Sequence, residues 1–295
     1  MKNESKNQIF REIISSLSDF FQEVNLLEQL SNSFDDNLSY RMILDGKDSV
    51  LKVYCGNDKE RILSDLNLQN FLYNQGLPCP KIIPLFGNLL LKNRDSYYTL
   101  YKFIPGEPIK YVNMDNVSKI FNVLKKLYEV GKTYLEEIPK KSLMIPQIEE
   151  GSYKKEFEDM LILYTSLNKS INKEDTLIHG DIHFDNILKS SKGEFFLLDL
   201  EHIKRGDFLE DLANIIFYSA CNTRNPFISP RELIDIFFSK YHISDLDSKI
   251  LKDRLLKVSL RYGLGSIWQF NRGFINQTEV DKRFKMINRA QNLEI

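Results

Sequence analysis

The chain changes character at Pro105-Gly106-Glu107-Pro108. Ahead of this break the apolar residues come mostly in short, strand-length runs. Beyond it they recur at helical spacing over long segments. Two such patterns do not share one layer of packing, so the break predicts a division into residues 1–104 and 105–295. The first part should hold a small antiparallel sheet with one helix, the second a larger and mostly helical body. A length of 295 residues suits two cores of ordinary size. The fold class expected is α+β.

Several elements can be placed. Ile9, Ile13, Leu17, Phe20, Phe21 and Val24 have helical spacing, which predicts one or two helices across Gln8–Leu30, then a turn-rich loop over Ser31–Asn37. Asp45-Gly46 between two apolar runs predicts a hairpin of Leu38–Leu44 with Ser49–Tyr54. A helix over Arg61–Gln75 should stop at Gly76, with Pro78 and Pro80 beyond it. Ile82–Leu85, Leu89–Leu91 and Tyr97–Phe103 read as further strands. After the break, Val117–Tyr134 is amphipathic. Tyr153–Leu167, Leu209–Cys221, Pro230–Tyr241, Lys249–Trp268 and a last stretch to Ala290 also read as helices. Leu177–Ile178 and Phe195–Leu200 read as short strands flanking a polar loop, and Lys140–Ile148 as a loop.

Charge and cysteine usage exclude some classes of function. With 40 basic and 41 acidic side chains the net charge is −1, so no nucleic-acid or anionic-membrane partner is expected. No apolar run reaches the ~18 residues of a membrane span. Cys55, Cys79 and Cys221 are odd in number and far apart, which predicts free thiols in a reducing compartment. The polar N-terminus offers no signal-peptide core, so the expected location is cytoplasmic.

The chemistry concentrates in His179-Gly180-Asp181-Ile182-His183-Phe184-Asp185-Asn186, followed by Phe196-Leu197-Leu198-Asp199-Leu200-Glu201. Phosphoryl transfer asks a protein for an oriented acceptor hydroxyl and a divalent metal against the phosphates. Asp181 would accept a hydrogen bond from the attacking hydroxyl. Asn186 and Asp199 would supply hard oxygens to Mg2+. An isolated Asp-x-x-x-x-Asn is ordinary loop composition; His-Gly before it and an apolar run ending in Asp after it make the pattern specific.

This constellation resembles the catalytic loop and metal-binding Asp of the aminoglycoside phosphotransferase and choline kinase superfamily. Arg205-Gly206-Asp207 and Asp211-Leu212-Ala213 resemble its following signature. Gly76-Leu77-Pro78-Cys79-Pro80 and Tyr101-Lys102-Phe103-Ile104-Pro105-Gly106 resemble segments upstream. The resemblance runs over about residues 30 to 220 and implies a two-lobed protein-kinase-like fold. It implies a nucleotide-binding lobe in 1–104 and a catalytic, acceptor-binding lobe in 105–295. Lys52 falls at the lysine that binds the nucleotide's phosphates. Asp65 falls at its helix carboxylate, in place of the family's Glu, with Glu60 as the alternative. Residues 30–37 contain no glycine; backbone amides and the hydroxyls of Ser31 and Ser33 would meet phosphates there. Adenine or guanine would bond to the backbone near Lys102 and Ile104. The implied donor is ATP or GTP, with Mg2+, and the implied acceptor a small molecule bearing a hydroxyl.

Other residues have two readings. His179 reads as a support of the loop rather than a base, and Asp207 and Asp211 as braces. Glu201 would either face the acceptor or be a solvated acid. Tyr262, Trp268, Phe270 and Phe274 are either core or a cage for a quaternary ammonium group. The basic excess from Lys249 to Arg289 argues against a polycationic acceptor. The expected function is a small-molecule kinase. The alternatives are a catalytically silent kinase-like binding protein and a protein kinase, the latter disfavoured by the short span between Asp199 and Asp211.

Overall fold

The structure is a computed structural model that describes residues 12–15, 17–32, 37–54, 58–93, 96–109, 113–138, 148, 150–170, 174–221, 228–242 and 248–293. These residues group into two compact units, 1–106 and 107–295.

The first unit is built on an antiparallel sheet of β1 (Val24–Asn32), β2 (Leu38–Leu44), β3 (Lys47–Tyr54), β4 (Ile82–Ile83), β5 (Leu91–Asn93) and β6 (Ser96–Lys102). The order is β1-β2-β3-β6-β4, with β5 also on β6. Asp45 and Gly46 take left-handed φ values of 45° and 72°, the conformation that a two-residue hairpin turn between β2 and β3 requires. Alternation puts Leu38, Tyr40, Met42 and Leu44 inward, against Leu51, Val53, Tyr98, Leu100, Ile13 and Leu17. Helix α1 (Lys59–Asn74) starts at Asp58, whose side chain accepts from the Arg61 amide, and presents Leu66 to Ile82 and Tyr101 of the sheet.

One expectation fails here. The helical periodicity across Gln8–Leu30 ends early: residues 12–15 and 17 are helical, but Val24–Asn32 is an edge strand paired with β2 from Val24↔Leu44 to Asn32↔Leu38. Glu23 and Asp45 lock its start, the Glu23 amide donating to Asp45 Oδ1 at 2.9 Å and the Asp45 amide to the Glu23 carbonyl at 3.0 Å. Leu26, Leu27 and Leu30 stay exposed, so the ladder and not an apolar face holds this segment. Of the loop expected at Ser31–Asn37, Ser31 and Asn32 belong to this strand, and residues 33–36 lie outside the described residues. Residues 8–11 and most of Lys140–Ile148 lie outside them too.

The second unit carries the helices α2 (Met114–Tyr134), α3 (Lys154–Ser170), α4 (Phe208–Cys221), α5 (Pro230–Tyr241), α6 (Ser248–Asn271) and α7 (Gln277–Gln291). Helix α2 buries Val117, Ile120, Phe121, Leu124, Leu127 and Tyr128. Ser229 and Glu232 form a capping box at the start of α5. Two small sheets sit among them. One is β10-β9-β7, made of Phe195–Leu197, Ile187–Ser190 and Gly106–Pro108; the other pairs β11 (Lys204–Gly206) with β8 (Thr176–Ile178). Strand β9 was not foreseen, and it fixes where Asn186 and Asp199 fall. Among the described residues no helix is long and apolar enough to cross a membrane.

Candidate active site

The loop from His179 to Asn186 runs from β8 to β9, and the register Leu197↔Ile187 brings the chain back beside its end. Two hydrogen bonds extend that register. The Leu198 amide donates to the Asn186 carbonyl at 2.9 Å, and His179 Nε2 lies 2.9 Å from the Leu198 carbonyl. Asp199 is therefore delivered one residue beyond a position tied both to Asn186 and to His179. Its backbone is left-handed, φ 54° and ψ 57°. A non-glycine residue held in that region costs about 1 kcal/mol or more and gathers at functional sites.

Asn186 Nδ2 donates to the Asp181 carbonyl at 3.0 Å. A carbonyl accepts only from the amide nitrogen, so the Asn186 oxygen is turned the other way. Asp181 Oδ1 lies 3.4 Å from Arg261 Nη2, and its Oδ2 lies 3.9 Å from His183 Nε2. Burial alone would raise this carboxyl; Arg261, His202 and His183 outweigh it and leave it below the usual range, ionised at neutral pH. His179 is fully buried, and burial lowers it to about 4 against the pull of the Leu198 carbonyl and of Asp181 and Asp199. The ring is neutral and bonded to the Leu198 carbonyl, in keeping with the supporting role read from the sequence.

Asp211 braces the loop from α4. It accepts from the His179 amide at 2.8 Å, the Gly180 amide at 2.9 Å and the Tyr128 hydroxyl at 3.1 Å. Burial pushes its carboxyl up to about 6 in spite of the amide bonds from Gly180 and His179. Gly180 itself has φ +80°, and a Cβ there would lie 2.6 Å from the His202 carbonyl oxygen, so only glycine fits.

Beneath the loop, α4 and α6 are joined by a ladder of polar pairs, each 47 residues apart. Asp207 holds Arg254 at 2.6 Å, Glu210 holds Lys257 at 2.8 Å, and Asn214 Oδ1 accepts from Arg261 at 2.7 Å. Lys204 adds a second cation to Glu210 at 2.7 Å. Burial works against the Glu210 charge, but Lys204, Lys257 and Arg261 hold it well below the usual carboxylate range. Asp207 is thus a brace, as expected. Arg261 was missed. The signal was present as Arg254, Lys257 and Arg261 at i, i+3 and i+7, a cationic stripe on one helix face.

In the first unit Lys52 is half-buried on β3 between Ser39 and Thr99, with its Nζ 5.5 Å from the Tyr54 ring centre. Asp65 is on the buried side of α1 and Glu60 is exposed in its first turn. The Lys102 amide donates to the Lys81 carbonyl at 2.8 Å, and Ile104 follows just outside the ladder. Ser31 pairs with Ser39 through its backbone; the Ser31 side chain and all of Ser33 lie outside the described residues. The aromatic residues of the C-terminal part do not gather into one cage. Tyr262 packs on Phe217 and Tyr218, Trp268 on Phe274, and Phe270 on Tyr153. Cys79 is a buried free thiol pushed up to about 12.

A small antiparallel sheet unit, a larger helical unit, and an Asp-Asn-Asp loop laced to a short hairpin define a protein-kinase-like α+β architecture. The model of the phosphotransferase enzyme family matches residues 28–248, and the chain belongs to that family. It is a phosphotransferase. Among solved structures it resembles a spectinomycin phosphotransferase in complex with ADP and spectinomycin, at 14% identity over 96% of this chain and 97% of that one, TM-score 0.66. The choline kinase LicA from Streptococcus pneumoniae is 17% identical over 97% and 98% of the two chains, TM-score 0.64. An aminoglycoside-3'-phosphotransferase of type VIII is 15% identical over 83% and 97%, TM-score 0.63. The expected fold and enzyme class are borne out.

Proposed function

We propose that the protein transfers the γ-phosphoryl group of ATP, or of GTP, to a hydroxyl of a small acceptor such as an aminoglycoside-like antibiotic, a choline-like amino alcohol or a sugar. The observation that carries this reading is the lacing of Asp181, Asn186 and Asp199 through the Asn186–Asp181 and Asn186–Leu198 hydrogen bonds. ATP is favoured over GTP, because the spectinomycin phosphotransferase holds ADP and the choline kinase has been solved with AMP.

Asp181 orients the acceptor hydroxyl and takes its proton late, as a carboxylate already ionised when the acceptor arrives. Asn186 and Asp199 offer hard oxygen donors, the type that Mg2+ prefers. Bound there, Mg2+ would neutralise the charge on the phosphates. Residues 1–104 serve as the nucleotide-binding lobe and 105–295 as the catalytic and acceptor-binding lobe. Lys52 steadies the phosphates with Asp65 as its carboxylate, Ser31 and Ser33 meet them, and the backbone at Lys102 and Ile104 receives the base.

The test is an acceptor screen with purified protein, ATP or GTP and Mg2+, read as nucleoside diphosphate release. Turnover on one acceptor class, abolished in Asp181→Ala while the variant keeps the folded circular-dichroism spectrum, is the expected result. Undiminished turnover in Asp181→Ala overturns the mechanism. Nucleotide binding without turnover across the panel would favour a silent binding protein instead.

A further inference from the structure

We infer that Arg261 is a positioning residue for Asp181, and that the amide at Asn214 is what makes its charge available for that task. The inference rests on the catalytic role given to Asp181 above.

The α4–α6 ladder has three rungs at the same 47-residue offset, and they are not alike. Asp207–Arg254 and Glu210–Lys257 are buried ion pairs with a carboxylate on the α4 side. The third rung places an amide, Asn214, opposite Arg261. Asn214 is itself fixed, its Nδ2 donating to the Glu210 carbonyl at 3.0 Å. That bond turns Oδ1 toward the guanidinium, so the rung orients Arg261 without neutralising it. Glu210 Oε1 is 3.9 Å away and already accepts from Lys204 at 2.7 Å, while its Oε2 accepts from Lys257 at 2.8 Å. The carboxylate left to answer the Arg261 charge is Asp181.

The geometry at the loop agrees. Arg261 Nη1 donates to the Gly180 carbonyl, while Nη2 faces Asp181 Oδ1 at 3.4 Å and Asn214. The planar guanidinium therefore fixes both the peptide before Asp181 and one oxygen of its carboxylate. With Oδ1 so engaged, Oδ2 is presented on the His183 side. One carboxylate oxygen is anchored to protein and the other is directed toward a substrate hydroxyl, which is the pre-organisation that in-line attack needs. Arg261 touches no reacting atom in this arrangement and acts through Asp181.

The test uses the full-length protein and an acceptor found in the screen. Arg261→Gln should lower kcat by about 10- to 100-fold while the KM for the nucleotide changes little. Arg261→Lys, which keeps a cation but loses the fork, should recover part of that loss. Asn214→Asp completes the third rung with a carboxylate and should draw Arg261 from Asp181, lowering kcat while the melting temperature stays within a few degrees. A double-mutant cycle isolates the pathway: in an Asp181→Asn background, Arg261→Gln should cost little further turnover. Full additivity of the two substitutions, or wild-type kcat in Asn214→Asp, overturns the inference. A wild-type protein silent on every acceptor, or Asp181→Asn as active as wild type, rejects the kinase reading instead.

Discussion

Glu210 is the keystone of the polar ladder, and Glu210→Gln removes one negative charge shared by two lysines. Lys204 and Lys257 lie 2.7 and 2.8 Å from its carboxylate, and all three side chains are largely withdrawn from solvent. Breaking one buried pair costs about 3–5 kcal/mol, chiefly because an uncompensated charge remains inside. Here one substitution strands two cations, so the loss should reach at least ~4 kcal/mol, a large part of a total near 5–15 kcal/mol. Burial already lowers the Lys257 ammonium, against the pull of Glu210. Without Glu210 it drops further, so the folded variant binds fewer protons than the unfolded chain below the ordinary lysine range. Stability of the variant then rises with pH through that window. Urea denaturation of both proteins at pH 7 and pH 9.5 would show the difference shrinking at the higher pH. A loss below ~1 kcal/mol at pH 7, or a pH-independent gap, would refute the assignment of buried charge to this site.

Gly131→Ala should destabilise although alanine normally gains about 1 kcal/mol over glycine in a helix, because its Cβ would lie 2.7 Å from Thr176 Oγ1 and closer still to the Leu177 amide nitrogen; a raised melting temperature would contradict the packing of α2 on β8. The Asp211 carboxyl, raised by burial to about 6, binds a proton in the folded state that it loses on unfolding, so its contribution to stability falls as pH rises from about 4 to 6. Wild type minus Asp211→Asn should therefore be larger at pH 4 than at pH 7, by on the order of 2–3 kcal/mol, and equal differences would dismiss the shift. Asp199→Asn tolerates the left-handed backbone but removes a charge. The Mg2+ concentration for half-maximal turnover should rise about tenfold, ~1.4 kcal/mol, with little change in melting temperature, and an unaltered Mg2+ dependence would remove Asp199 from the metal site.

Much of this molecule is written locally. Asp45-Gly46 forces a hairpin, and the apolar stripe of Val117–Tyr134 forces a packed helix, because both depend on residues a few positions apart. The Asp181 to Asn186 loop is legible for the same reason. Val24–Asn32 was misread because its partner supplies the reason for its shape: an edge strand with exposed leucines is held by β2, not by its own periodicity. Arg261 was missed for a related cause. Its chemistry depends on Asn214 and Asp181, 47 and 80 residues away, and a cationic stripe on a helix reads as solvent-facing until another helix is found to cover it. The supporting role of His179 was anticipated from the loop it belongs to, but its burial and neutral ring come from the surrounding fold.

The peptide of Gly180 is gripped from two sides, its amide by Asp211 of α4 and its carbonyl by Arg261 of α6, while Tyr128 of α2 steadies Asp211. A segment riveted to three helices has no private melting transition. On warming, inactivation should coincide with collapse of the helical body rather than precede it.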